Sequence, residues 1–132
     1  MIKKLTIPVD HGNRNMKTTH FLFTTGLSST DRKPAGREDF LQTEGKYYVL
    51  SGKRIPYQRD KTQDERFSIL TRFAIAKELE RTGQVAEEDV VQVSLPIGVP
   101  PKHYAELADR YREYFLGDGK VQELVYNGRT YH

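Results

Sequence analysis

The stretch that most limits what this chain can fold into is Leu5 to Thr25, Leu-Thr-Ile-Pro-Val-Asp-His-Gly-Asn-Arg-Asn-Met-Lys-Thr-Thr-His-Phe-Leu-Phe-Thr-Thr. It reads as a short apolar strand, an acidic residue, a tight polar turn and a return strand that starts at Lys17. Asp10 follows Ile7 and Val9, so its carboxylate emerges where a strand leaves the sheet, the place where open α/β sheets bind ligands. Gly12, Asn13 and Asn15 are residue types that tolerate positive φ, which lets successive N–H groups point into one concavity and form an anion nest. Lys17 reaches back over the same concavity as a point charge. The turn therefore suits a metal-bound polyphosphate, with Asp10 towards a hydrated Mg²⁺ and the turn amides and Lys17 towards phosphate oxygens. It also suits an ordinary hairpin with a polar tip, because short motifs of this kind recur without function.

The remaining segments alternate strand and helix signals. His20 to Thr25 sets Phe21 and Phe23 against Leu22 with a period of two, and Gly26 closes it. Ser28 to Glu38, with Pro34 and Gly36, predicts a surface loop. Phe40 to Thr43 and Tyr47 to Leu50 flank Glu44-Gly45-Lys46 as a hairpin. The connector Ser51 to Asp60 carries Lys53, Arg54 and Arg59 around Ile55, Pro56 and Tyr57. It is either a basic patch with an aromatic for base stacking, or a solvent-facing run whose Ile55 and Tyr57 pack on the next helix.

Thr62-Gln63-Asp64-Glu65 is a capping box, and Phe67, Ile69, Leu70, Phe73, Ala74, Ala76 and Leu79 cover a wide apolar face of the helix that follows. Thr82-Gly83 stops that helix. Val90 to Val99 begins as a β-branched run suited to a strand covered on both faces. Pro101 opens a second helix, with Tyr104, Leu107, Ala108, Tyr111, Tyr114 and Phe115 as its buried stripe. The tail from Val121 forms a hairpin at Asn127-Gly128.

Composition removes several classes of function. The 132 residues fit one domain, and the absence of cysteine excludes disulfides and thiolate metal sites. His11, His20, His103 and His132 are scattered without ligand spacing. There is no Gly-x-x-x-x-Gly-Lys-Ser/Thr loop, no Gly-x-Gly-x-x-Gly turn and no Gly-x-Ser-x-Gly elbow. A net charge of +3, with bases and acids interspersed, describes a solvated surface more than a nucleic-acid footprint. Pro8 and Asp10 cut the opening residues before a signal-peptide core can form, and no run approaches membrane-spanning length, so a cytoplasmic protein is expected.

The order of segments resembles a known family. Val9-Asp10-His11-Gly12-Asn13 with Asn15-Met16-Lys17, Arg54-Ile55-Pro56-Tyr57, Asp60 to Phe67, Ala74 to Leu79, Leu95 to Gly98 and Pro101 to Tyr104 carry the likeness. Together they resemble the N-terminal part of the actin-like ATPases that segregate plasmids, the ParM/StbA group of the actin and sugar-kinase superfamily. The resemblance implies an α/β fold, a ribonuclease H-like or actin-like N-terminal subdomain over residues 1–132. It would hold a mixed sheet, three antiparallel strands plus a parallel one, with two packed helices, and would be incomplete at its C-terminus.

By the same resemblance the turn would be the first phosphate loop. Asp10 would act through Mg²⁺ and its water shell, while backbone at Gly12, Asn13, Arg14 and Asn15 and the Lys17 side chain would hold phosphates of Mg-ATP. Relatives commonly carry glycine where this chain has Arg14. If that position needs positive φ, Arg14 costs roughly 1 kcal/mol, offset if its guanidinium touches phosphate.

The family's polarising Gln or Glu, second phosphate loop and adenosine pocket lie beyond the point corresponding to His132. The chain alone would then be catalytically silent and bind Mg-ATP no better than millimolar, about 4 kcal/mol. The complete form would make nucleotide-dependent filaments and reach DNA only through an adaptor. This chain would form a dimer or strand-exchanged species through an open edge of the Val90 to Val99 strand, away from any membrane. The competing reading is a non-enzymatic, mildly basic dimeric DNA-binding or adaptor module.

Overall fold

The computed structural model describes residues 2–12, 14–34, 39–43, 45–55, 65–95 and 122–132. In chain order the elements are β1 (Ile2–Thr6), β2 (Asp10–His11), β3 (Asn15–Lys17), β4 (Leu22–Thr24), β5 (Leu27–Thr30), β6 (Phe40–Thr43), β7 (Lys46–Leu50), α1 (Arg66–Thr82), β8 (Val90–Ser94), β9 (Leu124–Tyr126) and β10 (Arg129–Tyr131).

Pro8 explains how the opening strand serves two sheets. β1 pairs in parallel with β8, from Ile2 opposite Val90 to Thr6 opposite Ser94, and the Ile7 N–H extends the ladder to the Ser94 carbonyl at 2.9 Å. Pro8 has no N–H to continue it. Beyond the proline, β2 takes a new partner and joins the antiparallel ladder β2-β3-β4. Among the described residues a third ladder runs β10-β9-β6-β7-β5. One mixed sheet is expected; among the described residues parallel and antiparallel pairing are both present, divided among ladders of two, three and five strands.

Two departures from the expected strands have local causes. The return strand from Lys17 to Thr25 is folded in two, because the Thr18 N–H bonds the Phe21 carbonyl at 2.9 Å and the Phe21 N–H bonds the Thr18 hydroxyl at 3.1 Å. The chain also does not enter a loop at Ser28. It forms β5, an edge strand whose Ser28, Ser29 and Thr30 are exposed while its backbone pairs with β7 from Leu27–Leu50 to Thr30–Tyr47. The two expected hairpins are present, with Gly45 at φ 78° and Asn127-Gly128 at φ 51° and 83°, the left-handed pair of a type I′ turn.

α1 buries the apolar face read from its sequence: Phe67, Ile69, Leu70, Phe73, Ala74, Ala76 and Leu79 all lie in the core. Gly83 ends it in the left-handed conformation, φ 63°, returning its N–H to the Leu79 carbonyl at 3.4 Å. Thr62 of the capping box lies outside the described residues, and Glu65, at the N-cap, makes no side-chain capping bond. Tyr57, the second expected helix and the strand beyond Leu95 also lie outside them.

Lys77 ties the layers together. Its ammonium bonds Asp39 at 3.2 Å and the Tyr126 hydroxyl at 3.3 Å, and lies 5.5 to 5.9 Å from the ring centres of Phe21, Phe23 and Tyr126. Phe73 meets Tyr126 edge-on at 6.0 Å. At the other end Lys3 bridges Asp89 at 3.1 Å, and Arg129 bonds the Val85 carbonyl at 2.7 Å.

Candidate functional site

Register decides which side chains of the opening hairpin can act together. Asp10 lies opposite Lys17, and Lys17 opposite Leu22; one residue along, His11 lies opposite Met16 and Met16 opposite Phe23. Residues directly opposite share a face, so the hairpin has two sides. The His11, Met16 and Phe23 side faces α1, where His11 and Met16 are buried. There His11 Nε2 donates to the Thr71 hydroxyl at 2.6 Å, and that hydroxyl donates to the Phe67 carbonyl at 2.8 Å. The Asp10, Lys17 and Leu22 side is exposed. The expected carboxylate and ammonium are therefore neighbours on one open face. Among the described residues neither is spent in an ion pair.

The turn between them is tight for a steric reason. A Cβ on Gly12 would stand 2.4 Å from the Asn15 carbonyl oxygen, closer than any side chain tolerates. Positive φ is not the reason: among the described residues it occurs only at Gly45, Gly83, Asn127 and Gly128. The condition under which Arg14 would be strained is therefore not met. Gly12 and Asn15 do not build a nest from left-handed backbone. Asn13 lies outside the described residues.

Thr25 holds the turn from beneath. It is fully buried; its N–H bonds the Arg14 carbonyl at 2.9 Å and its hydroxyl bonds the Gly12 carbonyl at 2.8 Å. Thr25 and Gly26 then grip a segment remote in sequence. The Ile55 N–H bonds the Thr25 carbonyl at 2.8 Å and the Ser51 N–H bonds the Gly26 carbonyl at 3.0 Å. A Cβ on Gly26 would stand 2.3 Å from the Lys53 carbonyl oxygen and 2.4 Å from that of Ser51. In sequence Gly26 reads as a strand terminator; a glycine closing an apolar strand also signals close backbone approach.

The far end of the hairpin is clamped by the buried carboxylate of Glu78, which the motifs of the sequence do not single out. It accepts from the Thr18 hydroxyl at 2.7 Å, the His20 N–H at 3.0 Å and His20 Nδ1 at 2.8 Å. Burial pushes its pKa up, but the bonds from the His20 ring, the Thr18 hydroxyl and the His20 N–H outweigh burial and hold it below the usual carboxylate value. An acid beside Leu79 on a buried helical face was the available signal, since such a group needs partners.

Asp10 offers one exposed carboxylate with Lys17 beside it, and there is no cluster of three metal-ligating side chains among the described residues.

Compared with solved structures, the chain superposes on the apo ParM protein of pSK41 with a TM-score of 0.70, at 15% identity over 98% of its length. Its fold is actin-like. AlfA structures agree: the filament of AlfA from B. subtilis plasmid pLS32 gives a TM-score of 0.58 at 15% identity over 96% of the chain, and the AMPPNP-bound AlfA filament 0.64 at 17% over 98%. The chain spans about half of each matched protein, 47%, 53% and 52% respectively. No protein-family profile matches it, and no curated protein matches it by sequence. In this actin-like frame the Asp10 to Lys17 hairpin leads the three-stranded ladder, with α1 on its buried side and its charged row open.

Proposed function

We propose that the chain is the N-terminal, phosphate-gripping part of an actin-like filament protein of plasmid segregation, and that hydrolysis requires residues it does not contain. The observation that carries this reading is the register placing Asp10 beside Lys17 across a turn only glycine can close, within an actin-like fold. Lys17 supplies a point charge for phosphate oxygens, and the guanidinium of Arg14, exposed and unstrained, a bidentate donor. Backbone at Gly12 and Asn15 lines the grip. Asp10 would hold Mg²⁺ through its water shell, and the ion would neutralise phosphate charge. AMPPNP in an AlfA filament supports the nucleotide assignment, and the filaments themselves support self-association by the complete protein. DNA is reached through a separate adaptor. Among the described residues no helix is long and apolar enough to cross a membrane.

Titration with Mg-ADP, followed by amide shifts, tests the assignment. Binding near millimolar, about 4 kcal/mol, is expected, with shifts centred on residues 10–17. Asp10→Ala and Lys17→Ala each weaken it about tenfold, the scale of one charge-assisted hydrogen bond. Shifts confined elsewhere, or indifferent to both substitutions, defeat the assignment.

A further inference from the structure

The basic connector acquires a place once the Thr25-Gly26 grip is known. That grip brings residues 51–55 against the backbone that holds the Gly12 to Arg14 turn. Residues 10–17, 24–27 and 51–55 contain four cations, Arg14, Lys17, Lys53 and Arg54, against the single carboxylate of Asp10. Their net charge is +3, equal to the formal charge of the whole chain, so acids and bases cancel everywhere else. All four cations are exposed, and among the described residues none is in an ion pair. Gathering unneutralised like charges at one place is unfavourable in the free protein and favours an anion there.

We infer that Lys53 and Arg54 form a second cationic wall of the phosphate site, contacting the same polyphosphate chain that the Asp10 to Lys17 turn grips. This rests on the reading of that turn as a nucleotide-phosphate site. The wall is set in advance of binding. Its backbone is pinned by the Ser51 and Ile55 N–H groups and packed closely against Gly26, so little backbone freedom is lost when an anion arrives. Arg54 offers a planar fork and Lys53 a point charge, the two modes by which proteins hold phosphate oxygens.

Inorganic triphosphate with Mg²⁺ is the probe, titrated into the 132-residue chain while amide shifts are followed, with a short DNA duplex as a second ligand. Residues 53 and 54 are expected to move with residues 14 and 17 on one saturation curve. Lys53→Ala/Arg54→Ala should raise the apparent dissociation constant about tenfold. A control pair with the same charge loss, Lys46→Ala/Arg81→Ala, lies at the start of β7 and in the last turn of α1 and should change it less than about twofold. Equal weakening by both pairs reduces the effect to net charge and overturns the inference. Shifts at 10–17 with none at 53–54 also overturn it and leave the turn assignment standing, whereas silence in both regions removes both. DNA shifting 53–54 at lower concentration than triphosphate, with steep salt dependence, assigns the wall to nucleic acid instead.

Discussion

A methyl group added at Gly12 would stand 2.4 Å from the Asn15 carbonyl oxygen, and one added at Gly26 would face the Lys53 and Ser51 carbonyls at 2.3 and 2.4 Å. Neither obstacle is a flexible side chain, so backbone must move. Gly12→Ala and Gly26→Ala are each expected to lose roughly 1–3 kcal/mol of stability in urea unfolding. Gly52 is the internal control: a Cβ there meets nothing within 4 Å and its φ is not positive, so Gly52→Ala should be neutral or gain up to about 1 kcal/mol. Arg14 gives the converse test. Its φ is not positive, so Arg14→Gly relieves no strain and should lower stability by about 0.5–1 kcal/mol through a more flexible unfolded chain. The residue types at 12 and 14 were legible in sequence, but the reason for each was not. A sequence marks glycine without saying whether torsion or space demands it.

At the scale of elements, α1 was the most legible part, because burial repeats with the helical period and Gly83 marks the stop. β5 was the least. Leu27-Ser28-Ser29-Thr30 looks like a loop because an edge strand with a solvated face has no apolar alternation to display. The fold at Thr18 to Phe21 was hidden for a related reason: it depends on Glu78, nearly sixty residues away in sequence. That clamp predicts how stability responds to acid. The Glu78 carboxyl titrates below its ordinary value of 4.5. Asp39 behaves alike: burial raises its pKa, but the bonds from Asn127 and Lys77 and the Lys77 charge more than reverse this. A carboxyl with a depressed folded pKa contributes stability that is complete above its unfolded pKa and is lost as pH falls through the folded value. Unfolding free energy should therefore be flat from neutral pH down to about 5 and fall steadily below about 4.5. Glu78→Gln should lower it by roughly 1–3 kcal/mol at pH 7 and flatten the acid limb. An acid limb as steep in the variant as in the parent would show that Glu78 is not its source.

For the molecule as a whole, the question is which strand edge a second copy would meet. The β5 edge ends in Asp31, Arg32 and Lys33, charges that discourage pairing. β8 is different. The Ile7 N–H bonds the Ser94 carbonyl, so Ser94 and Gln92 direct their backbone groups towards β1, and Val91 and Val93 direct theirs outwards. Among the described residues that outer edge receives one backbone contact, the Val91 N–H to the His132 carbonyl at 2.9 Å. Val91 and Val93 are only half-buried, short of the two-sided cover their β-branched run suggested. If a second copy pairs along β8, sedimentation should show a concentration-dependent dimer, and Val93→Pro should weaken it. Proline removes the outward N–H while leaving the bonds from Gln92 and Ser94 to β1, a placement edge strands tolerate. A monomer at every accessible concentration would exclude self-pairing by this chain. A dimer indifferent to Val93→Pro would move the contact elsewhere, first to β4, whose Leu22 is two-thirds exposed at 66% and shares its face with Asp10 and Lys17. In that case Mg-ADP and dimerisation would compete for one surface, and adding nucleotide should shift the sedimentation profile towards monomer.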